Sequence, residues 1–158
     1  MYIVADKKGN QLLEMIRGNE DEVLANEAYR PLTGSLVVVK SPEGFMLLKN
    51  RFRNAWKIAG GIIEPGETAR QCAARECLEE SGYAIDGLRF VGLMKCFLVA
   101  GYFSKEDRVE YTALYCADVK AVREFHENEE MTALCWHTLG EPLEDASAID
   151  IKLLEYYF

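Results

Sequence analysis

A glycine turn that runs straight into an unbroken helical stretch limits how this chain can fold more than anything else in it. Gly60-Gly61 and Glu64-Pro65-Gly66-Glu67 supply a bend, because glycine tolerates positive φ and Pro-Gly suits a tight turn. Thr68 stands where a helix N-cap belongs. Residues 69–80 after it contain no Pro, no Gly and no β-branched residue, and Ser81-Gly82 is a stop signal. The predicted local structure is a turn and a short helix that must lie on something apolar.

That helix carries its charge on one side. Glu76, Glu79 and Glu80 stand at i, i+3 and i+4, so their side chains share a face. Ala74, Cys77, Leu78 and Ser81 are expected opposite, packed on a sheet. Like charges at this spacing cost about 0.2–0.5 kcal/mol per pair. The helix dipole also disfavours acids near its C-terminus. A hard divalent cation would compensate, since Mg²⁺ or Mn²⁺ takes oxygen ligands shared between carboxylates and phosphates. A solvated acidic face is the plainer alternative. Gly61, Glu67 and Arg75 argue against it, because a surface face has no need of them.

The spacing is fixed: Gly61, five residues, Glu67, seven residues, Arg75-Glu76-Cys77, one residue, Glu79-Glu80, one residue, Gly82-Tyr83. With each type at roughly one residue in fifteen, a random start fits with odds on the order of 10⁻⁸. This stretch resembles the signature box of the Nudix hydrolases. Cys77 and Tyr83 take positions where an aliphatic residue is usual. The resemblance extends loosely over residues 33–140, through Trp56-Lys57-Ile58-Ala59-Gly60-Gly61 upstream and Leu134-Cys135-Trp136-His137 downstream.

The resemblance implies hydrolysis of a nucleoside diphosphate linked to another group, by water attack on phosphorus. It implies Mg²⁺ (or Mn²⁺) held by Glu76, Glu79, Glu80 and the carbonyl of Gly60. Arg75 would orient the box acids, with Glu67 in support. The general base varies within the family, either a box glutamate such as Glu76 or Glu79 or an acid from a downstream loop. Nucleoside triphosphates, oxidised or ordinary, and nucleotide sugars such as ADP-ribose remain open as substrates. The ADP-ribose members often carry a proline near the place of Val99. The members acting on dinucleoside polyphosphates often carry a tyrosine, for which Tyr102 is only loosely placed. A catalytically silent Nudix-fold nucleotide-binding or sensor module is the alternative, although such modules usually lack a box carboxylate. An isoprenoid diphosphate isomerase would need cysteine and glutamate motifs that are not recognised here.

Length and charge set outer bounds. At 158 residues and 49% hydrophobic content, one α/β domain is expected: residues 33–158, with residues 1–32 as an N-terminal extension of short strands. This extension would dress the domain, cap an exposed sheet edge or support a homodimer. Five scattered cysteines without a Cys-x-x-Cys pair read as reduced thiols in a cytoplasmic protein. No apolar run is long enough for a membrane span, and the N-terminus does not read as a signal peptide. The net charge of −8, with no Lys/Arg run, fits a small nucleotide held through metal and disfavours polymeric nucleic acid.

Runs at 36–40 and 45–49 flank a Ser-Pro-Glu-Gly turn and read as a hairpin. Runs at 88–100, 109–119 and 133–137 are further strands, and 146–157 has helical spacing. The expected fold is a Nudix-like α/β/α sandwich with a mixed sheet. Outside the box, Arg51 and Arg53 are candidates for phosphate and Trp56 for a base, with a core role for Trp56 as the alternative. Glu127, then Glu129, are the first choices for a downstream base or metal ligand, among Glu124, Glu127, Glu129 and Glu130. His126 is the loop imidazole, and His137 reads as structural. Glu106, Asp107 and Glu110 are weaker metal candidates, and Tyr102, Phe103 or Tyr111 could border the base.

Overall fold

Alternation in one triple-valine strand explains the layering. The computed structural model describes residues 1–101 and 104–158. In β3 (Leu32–Ser41), Val37 and Val39 enter one apolar cluster while Val38 enters another, and all three are buried. The hairpin partner β4 (Gly44–Asn50) does the same, with Met46 and Leu48 on one side and Phe45 and Leu47 on the other. A strand buried on both faces reads as a continuous apolar run, so helices must cover both sides. Each fully buried side chain of this size contributes about 1.5–3 kcal/mol.

The remaining strands among the described residues are β1 (Val4–Ala5), β2 (Gln11–Ile16), β5 (Ala55–Lys57), β6 (Ala59–Ile62), β7 (Asp86–Leu98), β8 (Arg108–Asp118) and β9 (Met131–His137). The order is β1-β2-β7-β8-β3-β4-β5, with β6 on β3 and β9 on β4. Among the strand pairs of the described residues only β3–β8 runs parallel, so the sheet is mixed as expected. The expected N-terminal strands form a hairpin whose β2 pairs antiparallel with β7, extending the sheet at that edge.

Helix α2 (Ala69–Ser81) forms from the signals read above. Thr68 Oγ1 accepts from Gln71 N at 3.0 Å while Gln71 Oε1 accepts from Thr68 N at 3.0 Å, and Gly82 closes the helix at φ 80°. Such a cap contributes about 1 kcal/mol. The buried face differs from the expected one. Cys77 and Ser81 are buried as expected, but Ala74 and Leu78 face solvent, Leu78 at 52% exposure, and Glu80 turns inward. The covered stripe runs through Ala69, Cys72, Ala73, Cys77, Glu80 and Ser81. The helix is rolled toward the glycine turn, whose backbone gives Glu80 a partner.

The short helix α1 (Glu20–Ala25) has no counterpart in the expectations for residues 1–32. It is docked by Glu20, which accepts from Arg70 Nη2 at 2.7 Å and from the Tyr115 hydroxyl at 2.8 Å. Across the sheet, α3 (Ala148–Leu153) and a 3-10 turn at Leu154–Tyr156 seat Leu153 and Leu154 in the second cluster. They replace the single longer helix expected over 146–157. No helix among the described residues is long and apolar enough to cross a membrane.

Candidate active site

The second glycine of the turn makes room for an acid. Gly61 lies in β6 opposite Ser35, and a Cβ there would stand 2.6 Å from the Glu76 carboxylate. Gly60, at φ 150°, has no space for a side chain against the Ser35 carbonyl and Leu36. Two adjacent positions therefore require glycine, and the backbone between β5 and α2 is fixed by contact with both.

Arg75 gathers the acids. Its Nε donates to Glu67 Oε2 at 2.6 Å, and its Nη1 lies 3.0 Å from Glu76 Oε1 and 3.1 Å from Glu79 Oε2. Nη2 also donates to Glu67 Oε1 at 3.0 Å and to the Ile62 carbonyl at 3.2 Å. The fork fits Glu67 bidentately, the strongest geometry for such a pair. These bonds hold the Glu67 carboxyl at about 2.

The three helix acids differ in environment. Glu79 is more than half exposed, Glu76 is mostly covered, and Glu80 is 3% exposed. Glu80 Oε1 accepts from Gly60 N at 2.9 Å, and Oε2 accepts from Lys57 Nζ at 2.9 Å. Burial pushes Glu76 and Glu80 upward, against the pull of Arg75 on Glu76 and of Lys57 and Gly60 N–H on Glu80. Lys57 Nζ also donates to the Gly60 carbonyl at 3.2 Å.

A pocket of about 270 Å³ opens beside this face, lined by Glu79, Glu80, Asn128, Glu129 and Glu130. Asn128 fastens the loop there: its Nδ2 donates to the Glu80 carbonyl at 2.9 Å, and its Oδ1 accepts from Glu130 N and Met131 N. Glu127 does not line the pocket. It pairs outward with Arg51 at 3.3 Å. Arg51, expected on phosphate, instead clamps this loop, donating to the carbonyls of Asn128 and Glu129 and from its own N to Glu130 O at 2.7 Å.

On the other side of the β5–β6 segment lies a larger cavity of about 690 Å³. Trp56, Leu36, Met94, Leu98 and Ile149 give it apolar walls, and Arg53, Lys57 and Asp150 bring charge. Trp56 packs in part on the second apolar cluster and also borders the cavity. Burial pushes Asp150 up to about 6, against Lys57, the Ile58 N–H and Arg53.

Other candidates fall away from this region. Tyr111 is buried in the first cluster against Tyr29, because strand alternation turns Thr112 to the cavity instead. Glu110 is engaged by Arg108 and Thr33, Asp107 accepts from Ala100 N, and Glu106 lies near them in the same segment. His126 and Glu124 lie exposed in the loop, and His137 is buried in β9. Tyr102 and Phe103 lie outside the described residues. All five cysteines are free, and burial raises Cys77 to about 11 and Cys72 and Cys96 to about 12, so these three stay protonated near neutrality.

Lys57, Asn128 and Asp150 were not among the candidates read from the sequence. Lys57 stands inside the Trp56–Gly61 stretch, but nothing local shows that it meets an acid 23 residues away. Asn128 and Asp150 depend wholly on tertiary placement.

The donor set suits a cation. An ammonium already lies against the Gly60 carbonyl and the Glu80 carboxylate, and Glu80 also lines the small pocket with Glu79, Glu129 and Glu130. Among the described residues no group of three or more His, Cys, Asp or Glu side chains converges as a metal cluster.

Comparison with known proteins agrees with the geometry. The NUDIX domain family matches residues 30–157. The NAD-capped RNA hydrolase NudC of Vibrio cholerae is 33% identical over 90 residues, which are 50% of this chain and 33% of that protein. The oxidized purine nucleoside triphosphate hydrolase of Danio rerio is 42% identical over 64 residues, covering 39% of this chain and 41% of that one. The chain thus spans well under two thirds of the length of these curated relatives. The crystal structure of the Bacillus subtilis pyrophosphohydrolase BsRppH superposes with TM-score 0.65 at 20% identity, over 98% of this chain and 96% of that one, a likeness of fold. With the matched region, the turn, the helix and its acids all in place, the chain belongs to the NUDIX domain family.

Proposed function

We propose that the chain is a divalent-metal-dependent pyrophosphohydrolase acting on a nucleoside diphosphate linked to another moiety. The observation that carries this is the Arg75 guanidinium holding Glu67, Glu76 and Glu79 together beside a glycine with no room for a Cβ. A catalytically silent binding module would not need that arrangement. It does need explaining in an enzyme whose substrate is anionic, since the acids alone would repel it.

In this reading Glu76, Glu79, Glu80 and the Gly60 carbonyl hold Mg²⁺ or Mn²⁺. When bound, the metal neutralises phosphate charge and lowers the pKa of the attacking water. Arg75 keeps Glu76 and Glu79 oriented, and Glu67 fixes Arg75. Glu130 lines the pocket and its charge bears on Glu76, so it is the loop acid assigned to take the proton from water. Arg51 and Asn128 position that loop. The cavity behind β5–β6 is of the size that holds a nucleoside. Trp56 and the aliphatic wall there suit a base, and Arg53 suits an anionic group of the substrate.

The substrate stays general: a nucleoside triphosphate, oxidised or ordinary, or a nucleotide sugar such as ADP-ribose. The names of the relatives add capped RNA to the set worth assaying. The test is product release from a panel of triphosphates, nucleotide sugars, dinucleotides, a prenyl diphosphate and 5′-capped RNA, with Mg²⁺ and with EDTA. Metal-dependent release of mononucleotide or diphosphate supports the reading. Tight nucleotide binding without turnover would establish the silent module instead.

A further inference from the structure

Lys57 stands between two spaces that the proposed chemistry uses separately. Its ammonium donates to Glu80 Oε2 at 2.9 Å and to the Gly60 carbonyl at 3.2 Å, while the residue itself lines the nucleoside-sized cavity. Glu80 is almost wholly buried, and its other oxygen is taken by Gly60 N–H. The Gly60 backbone packs closely against Ser35 and Leu36, with no space for a side chain. Lys57 therefore occupies the same two oxygen donors that the metal reading assigns to a divalent cation.

We propose that Lys57 is an internal counter-ion that keeps the Gly60 carbonyl and the Glu80 carboxylate in place without metal and leaves them when a divalent cation binds. The inference rests on the metal-dependent reading above. A buried carboxylate without a partner is costly, so the lysine stabilises the metal-free protein. A second cation on the same oxygens would repel the ammonium, so the two compete. Once released, the side chain has the adjoining cavity to enter, where an anionic substrate would receive it.

The test uses protein stripped with EDTA and titrated with Mn²⁺ alone, bound metal being read by electron paramagnetic resonance and stability by thermal unfolding. Lys57→Gln is expected to bind Mn²⁺ about tenfold more tightly than wild type. Its melting point without metal should fall, and its gain on adding Mn²⁺ should exceed that of wild type. A second readout needs no variant: acetylation of Lys57 in the wild type, followed by mass spectrometry, should be slow without metal and rise with Mg²⁺. Wild-type Mn²⁺ binding with an unchanged constant in Lys57→Gln overturns the inference and leaves the proposed hydrolase standing. No Mn²⁺ binding by the wild type overturns the metal reading and this inference with it. If the variant does not fold, labelling decides, and a rate indifferent to Mg²⁺ rejects the exchange.

Discussion

Gly61 and Glu76 share one space: the carboxylate of the second occupies the position where a side chain on the first would begin, at 2.6 Å. Gly61 carries no positive φ, so its identity is set by this contact and not by backbone strain. Gly61→Ala should displace Glu76 while keeping the fold. Turnover should drop on the order of 100-fold, the cost of misplacing a catalytic group by about 1 Å. Steady-state kinetics with circular dichroism checks it. Gly66, with nothing within 4 Å of a Cβ, is the control for the turn, where alanine adds only the strain of φ 80°.

The two loop acids separate cleanly. Glu127 faces Arg51 in an exposed pair, whereas Glu130 lines the acidic pocket. Glu127→Gln should leave kcat within roughly fivefold of wild type, because exposed ion pairs contribute little. Glu130→Gln should lower kcat by about 10²–10⁴-fold. The opposite pattern in side-by-side kinetics would return the proton-accepting role to Glu127.

Much of this was legible locally. Thr68, Gln71 and Gly82 cap α2 through neighbours three or four residues away, and Val37-Val38-Val39 announces a strand covered on both faces. The roll of α2 was not legible. Three glutamates at helical spacing suggest a polar face, yet Glu80 goes inside because Gly60 N–H and Lys57 offset its burial. Likewise α1 is only six residues long, and its anchors Arg70 and Tyr115 lie 50 and 95 residues from Glu20. Arg51 looked like a phosphate ligand because its charge was visible and its loop partners were not.

Asp150 gives the fold a pH dependence. Its carboxyl is raised from 3.8 to about 6 by burial, among Lys57, Arg53 and Asp6 and with the Ile58 N–H as partner. The native state therefore holds this proton more tightly than the unfolded chain. Stability is lost as pH rises from about 4 through about 6 and the loss is complete above that. Asp150→Asn should raise the melting temperature at pH 7.5, with the gain fading toward pH 4. A gain that is constant across that range contradicts the assignment.

Glu67 works in the other direction. Its pairing with Arg75 depresses the carboxyl from 4.5 to about 2, so its contribution is present above pH 4.5 and disappears as pH falls toward 2. Glu67→Gln should melt earlier than wild type at pH 7, and the two curves should converge on acidification. Thermal unfolding across pH reads this directly. Turnover should also fall, since Arg75 loses the partner that aims it at Glu76 and Glu79.

The most direct measurement is anomalous diffraction at the manganese edge from crystals soaked with Mn²⁺ and a non-hydrolysable nucleotide. Density about 2.1 Å from oxygens of Glu76, Glu79 or Glu80 is expected in the wild type and should weaken or vanish in Glu79→Gln and Glu80→Gln. A nucleotide seated in the cavity with no manganese beside those carboxylates would contradict the account.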